Sequence, residues 1–361
     1  MGAERDRLAD VARAAVGAGD WARAHRAYQS LVERDATAEA LLGLGDTLWW
    51  LGETVAAIRQ LERAYAAFRR RSDADQSAMT AIGLYLINRV SLGRTEVARG
   101  WLARAHRLAD LSTSPPVPGW VALMRGHDSE DPVAAERFAA DARQAGAAVG
   151  DADLELCALS QLGAALVAQG RGTEGSACLD EAMAAALAGE AERPHTVVFT
   201  SCNLVGACAR TAEFDRAAQW ICAADTFQRR YGNLHLYTTC RTYLGGILFA
   251  TGDWPGAERE LRAALTLGAT AEPDLAAEAA ARLAELRVAQ GRLEDAEQLL
   301  QGFEEYPSGA AARAAVAVAR GDLGRARRIA RGRLAMVSAY RPGLSGLLEQ
   351  RPSGRRWPTP S

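Results

Sequence analysis

The chain has 361 residues, a formal net charge of −2 and 6% aromatic residues. All 42 of its basic residues are arginine. A P-loop needs a lysine to reach the β/γ-phosphates, and a Schiff-base enzyme needs a lysine amine, so both classes are excluded. The small net charge gives no global pull towards nucleic acid or an anionic membrane. Ala, Leu, Arg and Glu dominate, β-branched residues are sparse and no hairpin signal joins two alternating runs, which points to an all-α fold.

Met1 to Asp10 is charged and lacks the apolar stretch of a signal peptide. No run of about 18 uncharged apolar residues follows, so no membrane span is expected and the cytoplasm is the expected compartment.

In chain order, the first turn signal is Gly19, followed five residues later by Ala24. A fuller pattern begins at Leu44 and Gly45 and continues through Leu48, Gly52, Ala57, Leu61 and Ala64. Small residues in a first helix (Gly45) and a second (Ala57) let two antiparallel helices pack closely. Gly52 between them can enter the left-handed conformation at no steric cost and end the first helix. Trp49 and Trp50 close that helix about 100° apart, so one is expected in the core. The other, taken as Trp50, is expected to face a groove as a binding anchor.

Gly93 with Ala98 marks a further turn, and the Ser112–Gly119 loop (STSPPVPG) interrupts the helices through its prolines. A degenerate copy is expected near Gly126. The full pattern returns at Leu162, Gly163, Leu166, Gly170, Leu179 and Ala182, with Gly175 where an alanine is expected. A second punctuated loop spans 189–195. The stretches 111–119 and 189–195 are read as ordinary inter-repeat loops or as breaks between sub-arrays. Ala212 with Ala217 marks a weaker copy, and Leu244, Gly245, Leu248, Gly252, Ala257, Leu261 and Ala264 the clearest one. There Asp253 should cap the next helix and Pro255 suits its first turn. Gly291 with Ala296 and Gly321 with Ala326 complete the series, so an array over 1–340 is expected, with a flexible tail at 341–361.

Self-similarity at this period is the signature of stacked helical repeats. The pattern resembles the tetratricopeptide repeat (TPR), although turn-to-turn spacing is often about 40 residues rather than 34. The resemblance implies a TPR-like α-solenoid of about eight to nine antiparallel helix pairs forming a right-handed superhelix, with the first helices lining a concave groove. The stretch from Cys202 to Leu265, with Phe214-Asp215-Arg216-Ala217, Gly252-Asp253-Trp254 and Ala257-Glu258-Arg259-Glu260, is similar to the TPR region of actinobacterial LuxR-family regulators related to the maltose activator. Gly291-Arg292-Leu293-Glu294-Asp295-Ala296 fits the same region. In such regulators the array senses a signal or partner between an ATPase module and a helix-turn-helix domain. This sequence shows no P-loop, and no helix-turn-helix fits after Tyr340. The family role therefore carries over only as ligand or partner sensing, in a scaffold or in a fragment of such a regulator lacking its DNA-binding domain.

Two first helices are unusually polar, around Thr200-Ser201-Cys202-Asn203 and Tyr237-Thr238-Thr239-Cys240-Arg241. Threonine is a mediocre helix former, so something other than propensity sets this composition. The expected recognition patch comprises Asn203, Arg210, Tyr237 and Arg241, with arginine clamping a carboxylate or phosphate. The competing reading places Arg241 in a local network and the tyrosines in packing. The last repeat is basic, with Arg313, Arg320, Arg325, Arg327, Arg328, Arg331 and Arg333 set against Asp322. It reads as the solvated face of a capping repeat or as a dock for nucleic acid or an acidic partner. It lacks interleaved aromatics, and direct nucleic-acid binding is not expected.

The six cysteines form no Cys-x-x-Cys pair and sit among alanines and leucines as small core residues. The five histidines are scattered and no catalytic motif stands in a supporting context. The expected function is a non-catalytic, regulatory scaffold or sensor that binds a protein, a peptide segment or a small effector. No cofactor and no metal is expected, and a homodimer stays open. The alternative is an enzyme or cofactor protein using the Cys202–Arg241 region, for example Cys240 with His235.

Overall fold

Left-handed turn residues set the helix boundaries of this chain. In the computed structural model Gly19, Gly52, Gly93, Gly170, Gly252, Gly291 and Gly321 all have φ between +61° and +93°. Ala212 takes the same conformation at φ 58°, where a Cβ makes it costly. The alanine five residues beyond each of these turns that the repeat pattern marks is buried: Ala24, Ala57, Ala98, Ala217, Ala257, Ala296 and Ala326. The structure describes the backbone of residues 2–339 apart from 233 and 272. Side chains are described over the same range apart from 2, 3, 234–237, 269–271, 273, 274, 307 and 333–339.

Among these residues there are nineteen α-helices and no strand. They run α1 (Gly2–Ala18), α2 (Trp21–Arg34), α3 (Ala38–Trp50), α4 (Thr54–Arg70), α5 (Ala74–Leu86), α6 (Thr95–Ala109), α7 (Pro116–Asp128), α8 (Pro132–Val149), α9 (Ala152–Ala168) and α10 (Gly172–Ala188). Then come α11 (Pro194–Thr211), α12 (Phe214–Ala223), α13 (Asp225–Tyr231), α14 (Leu234–Thr251), α15 (Trp254–Ala271), α16 (Pro273–Ala289), α17 (Leu293–Leu300), α18 (Ala310–Ala319) and α19 (Leu323–Ala339). Successive helices pair as hairpins, and α12 with α13 forms one broken second helix. This is the expected all-α repeat architecture.

Four of the hairpins close on a glycine seam. A Cβ on Gly45 would lie 2.8 Å from Leu61 Cγ and 3.2 Å from the Ala57 carbonyl, and one on Gly245 would lie 2.5 Å from Leu261 Cγ. In the α9–α10 hairpin the seam is Gly163 against Gly175, each facing the other's carbonyl. Gly126 is a seam residue too, not a turn. It faces Ala135 and Phe138 of α8, and the turn follows at Ser129, with Asp131 capping α8 through the Val133 amide. Asp253 caps α15 as expected, accepting from the Gly256 amide at 3.0 Å.

The chain divides into two compact units, Met1–Ala279 and Ala280–Ser361. In the first, α5 ends in a π-helical turn, Ile87–Ser91, and such turns accommodate an extra residue. The loops at 111–119 and 189–195 are tied down. Ser112 donates to Asp75, and buried Asp153 accepts from the Glu192 and Arg193 amides and the Thr196 hydroxyl. In the second unit Ala281, Ala284, Ala296, Leu300, Ala312 and Val316 form the core. The expected tail at 341–361 lies outside the described residues.

Candidate functional site: the inner face of the first helices

In each first helix the residue after the seam position points about 100° away from the second helix. In α9, α11 and α14 that residue is Ala164, Gly206 and Gly246, and all three are half-buried. A Cβ on Gly246 would meet nothing within 4 Å, and one on Gly206 would meet only Arg210 Nη1 at 3.8 Å. Three neighbouring helices therefore offer a strip shaved to small side chains. One turn further on stand Ala168, Arg210 and Ala250, all exposed.

Asn203 and Arg210 both border this strip. The Asn203 amide donates to Ser160 Oγ at 3.0 Å and Gln161 Oε1 at 3.4 Å, joining α11 to α9. Arg210 reaches the Ala164 carbonyl at 3.4 Å and pairs with no carboxylate among the described residues. Its charge faces solvent at the edge of the strip.

Arg241 stands on a different face of α14. It precedes seam residue Gly245 by one helical turn and so shares the face turned to α15. There it meets Glu260 at 2.7 Å, with the two side chains 30% and 21% exposed. Tyr237 belongs to α14, and its side chain, like that of His235, lies outside the described residues. The gap beside Cys240 is lined by Met183, Ser201, Leu204, Val205, Trp220, Ile221 and Ala224 and has no room for a water molecule. Cys157, Cys208 and Cys240 are buried core residues as expected, whereas Cys222 is exposed. Burial pushes the Cys208 thiol up to about 11.

Trp50 is also placed differently. It is 2% exposed rather than open to a groove, because the chain curls back on it. Trp21, the first residue of α2, stacks on Trp50 at 4.4 Å and 8°. Tyr231, the last residue of α13, lies 6.2 Å from both rings, and its carbonyl accepts from Trp21 Nε1. Arg230 donates to the Gly17 carbonyl at 2.8 Å. From α11, His195 lies flat on half-buried Trp49 at 5.2 Å and edge-on to Trp50 at 5.1 Å. Its Nε2 is 2.9 Å from Asp46 Oδ1 and 3.2 Å from Trp50 Nε1. Trp49 Nε1 donates to Ser91 in the π-turn at 3.2 Å. A buried tryptophan removes about 150–250 Å² from water, so burial of Trp21 and Trp50 contributes up to about 4–6 kcal/mol each to the folded state, a share of it through these contacts.

One turn along α11, Phe199 lies 5.7 Å from the His127 ring of α7, whose Nδ1 is 2.8 Å from the Tyr85 hydroxyl. Burial and the nearby Arg89 guanidinium push the His127 pKa down to about 4, with Asp128 opposing. The ring is therefore neutral near pH 7 and shares one hydrogen bond with the hydroxyl. Asp128 in turn holds Arg99 at 3.0 Å. Among the described residues no group of three His, Cys, Asp or Glu side chains is placed to hold a metal ion, and no helix is long and apolar enough to cross a membrane.

In the second unit Arg320 pairs with Glu294 and Glu297 at 3.3 and 3.0 Å, and Arg325 lies 3.8 Å from Glu297. Arg313 donates to the Phe303 carbonyl at 3.0 Å. The basic repeat thus faces more acid than Asp322 alone, and Arg327, Arg328 and Arg331 are exposed with no ion pair among the described residues. The side chain of Arg333 lies outside the described residues. A cleft of about 190 Å³ beside them is lined by Glu297, Leu300, Gln301, Glu304, Arg313, Val316 and Arg325.

Comparison with known proteins agrees with the hairpin geometry. The family described as tetratricopeptide repeat matches residues 10–76 and 244–310. The fold is a TPR-like α-solenoid. No curated protein matches the chain. Among solved structures, yeast Tom70 is similar with TM-score 0.46 and 11% identity, over 92% of this chain and 76% of that one. The TPR2AB domain of yeast Sti1, solved in complex with pHSP90, is similar with TM-score 0.29 and 13% identity, over 83% of this chain and all of that one.

Two features escaped sequence reasoning. The strip at 164, 206 and 246 has a readable signal, since each residue follows a seam position. The closure of Trp21 and Trp50 on His195 and Tyr231 joins residues 145 to 210 apart and has no local signature.

Proposed function

We propose that this chain is a non-catalytic interaction scaffold or sensor that holds a peptide segment or a small effector along the strip over α9, α11 and α14. The observation that carries this reading is the exposed Arg210 guanidinium, which borders Ala164 and Gly206 and has no carboxylate partner among the described residues. Small side chains let an extended backbone approach closely, and arginine offers a planar fork for a terminal carboxylate, an acidic side chain or a phosphate. Asn203, steadied by Ser160 and Gln161, holds the floor between α9 and α11. Likeness to the sensor region of LuxR-family regulators supports a regulatory role.

The test is affinity capture with the tagged protein, followed by mass spectrometry of the retained proteins and small molecules. Arg210→Ala should lose the specific partner with the melting temperature unchanged. Arg241→Ala should keep the partner and lose about 1–2 kcal/mol of stability, because it strands the half-buried Glu260 carboxylate. Retention of the partner by Arg210→Ala would refute the reading.

A further inference from the structure

The inner face of α3 carries Asp46, Trp49 and Trp50, and the chain covers this face with its own side chains. His195 stacks on Trp49, meets Trp50 edge-on and places Nε2 against Asp46 and Trp50 Nε1. Tyr231 leans on Trp21 and Trp50. These partners come from α11 and α13, four repeats along the chain. The α3–α4 hairpin also has a seam of its own, through Gly45, Ala57 and Leu61. Clustered tryptophans beside one acidic acceptor are what an interface anchor consists of, and such anchors carry most of the binding energy of an interface. An imidazole is matched here twice, by the face of the Trp49 ring and by a carboxylate.

The contact is also accessible. The His195 and Asp46 side chains are 41% and 39% exposed, so a competitor can reach this polar edge, whereas Trp50 beneath it is 2% exposed and opens only when its cis partners leave.

We propose that the Asp46–Trp49–Trp50 face, completed by Trp21, is a recognition surface for a partner segment bearing a histidine beside an aromatic residue. His195 and Tyr231 occupy it in cis until such a segment displaces them. This rests on reading the inner face as the binding face, and it adds a second contact area to the α9–α14 strip. A surface occupied in cis binds in trans with its affinity reduced by the fraction of molecules that are open.

The experiment uses the full chain and a random peptide library displayed on phage. The His195→Ala/Tyr231→Ala variant should keep wild-type helicity by far-UV circular dichroism, because neighbouring repeats support one another. It should enrich peptides carrying histidine next to an aromatic residue. Synthesised, these peptides should bind the variant at least about tenfold more tightly than the wild type. Asp46→Ala or Trp49→Ala in the variant background should abolish that binding. Arg210→Ala should leave it unchanged, so failure here is distinguishable from failure of the α9–α14 reading. Loss of helicity in the double variant would show that the repeats cannot fold without the contact and overturn the proposal. Enrichment of peptides lacking both side chains, no enrichment at all, or equal binding to wild type and variant would also overturn it.

Discussion

His127 shows how one side chain sets the acid limit of the fold. Held between Tyr85 and Phe199, it keeps a pKa of about 4, against about 6.5 in an unfolded chain. Between those values the unfolded state binds more protons than the native state, so stability falls as pH drops from about 6.5 towards 4. The cost from this residue is on the order of 2–3 kcal/mol at the bottom of the window. Urea unfolding at pH 7.5 and pH 4.5 should show that loss, and His127→Leu should flatten the slope. An unchanged slope in the variant would remove His127 as the cause. The same residue scale shows where sequence reading reached and where it stopped. Arg210 was legible, because a charge at the exposed end of a first helix has nowhere to hide. Arg241 was legible in principle, since its four-residue offset from Gly245 fixes it on the α15 side. Trp50 was not, because its burial is supplied by residues far away in sequence.

Within a hairpin, the repeat pattern is a statement about interhelical distance. The alanine at 57 and 257 matches a glycine at 45 and 245, and that pair sets the ordinary spacing. In α9–α10 both positions are glycine, and the sequence alone presented Gly175 as a lapse from the pattern. The structure gives the reason, since a Cβ on Gly175 would lie 2.5 Å from the Gly163 carbonyl and 2.8 Å from the Val167 amide nitrogen. These are backbone atoms and cannot rotate away. Gly175→Ala, which restores the repeat consensus and improves helix propensity, should therefore destabilise by about 1–3 kcal/mol, the cost of overpacking a tight interface. Thermal unfolding of this variant decides the point, and a raised melting temperature would show that the two helices can separate at no cost. Turn glycines and buried alanines were readable because each depends on its own hairpin. The closer approach of α9 to α10 was not readable, because it depends on both seam residues being small at once.

At the scale of the first unit, closure changes how stability is distributed. An open solenoid is nearly one-dimensional, since each repeat contacts only its neighbours and a local defect fades with distance along the array. Here α2 and α3 also touch α11 and α13 through Trp21, Trp50, His195 and Tyr231, so the two ends of a long stretch share one core cluster. A defect introduced at Trp21 therefore has two routes, through α3 to α4 and directly across to α13. Trp21→Ala should cost about 3–5 kcal/mol, as for a large aromatic removed from a packed site. Amide hydrogen exchange reports such losses helix by helix. Protection should fall in α1–α3 and in α11–α13, while α7 and α8, which lie between them in sequence and outside the cluster, lose less. A decline that weakens steadily from α2 through α8 to α13 would instead describe an open array and remove the closure from the account of its stability.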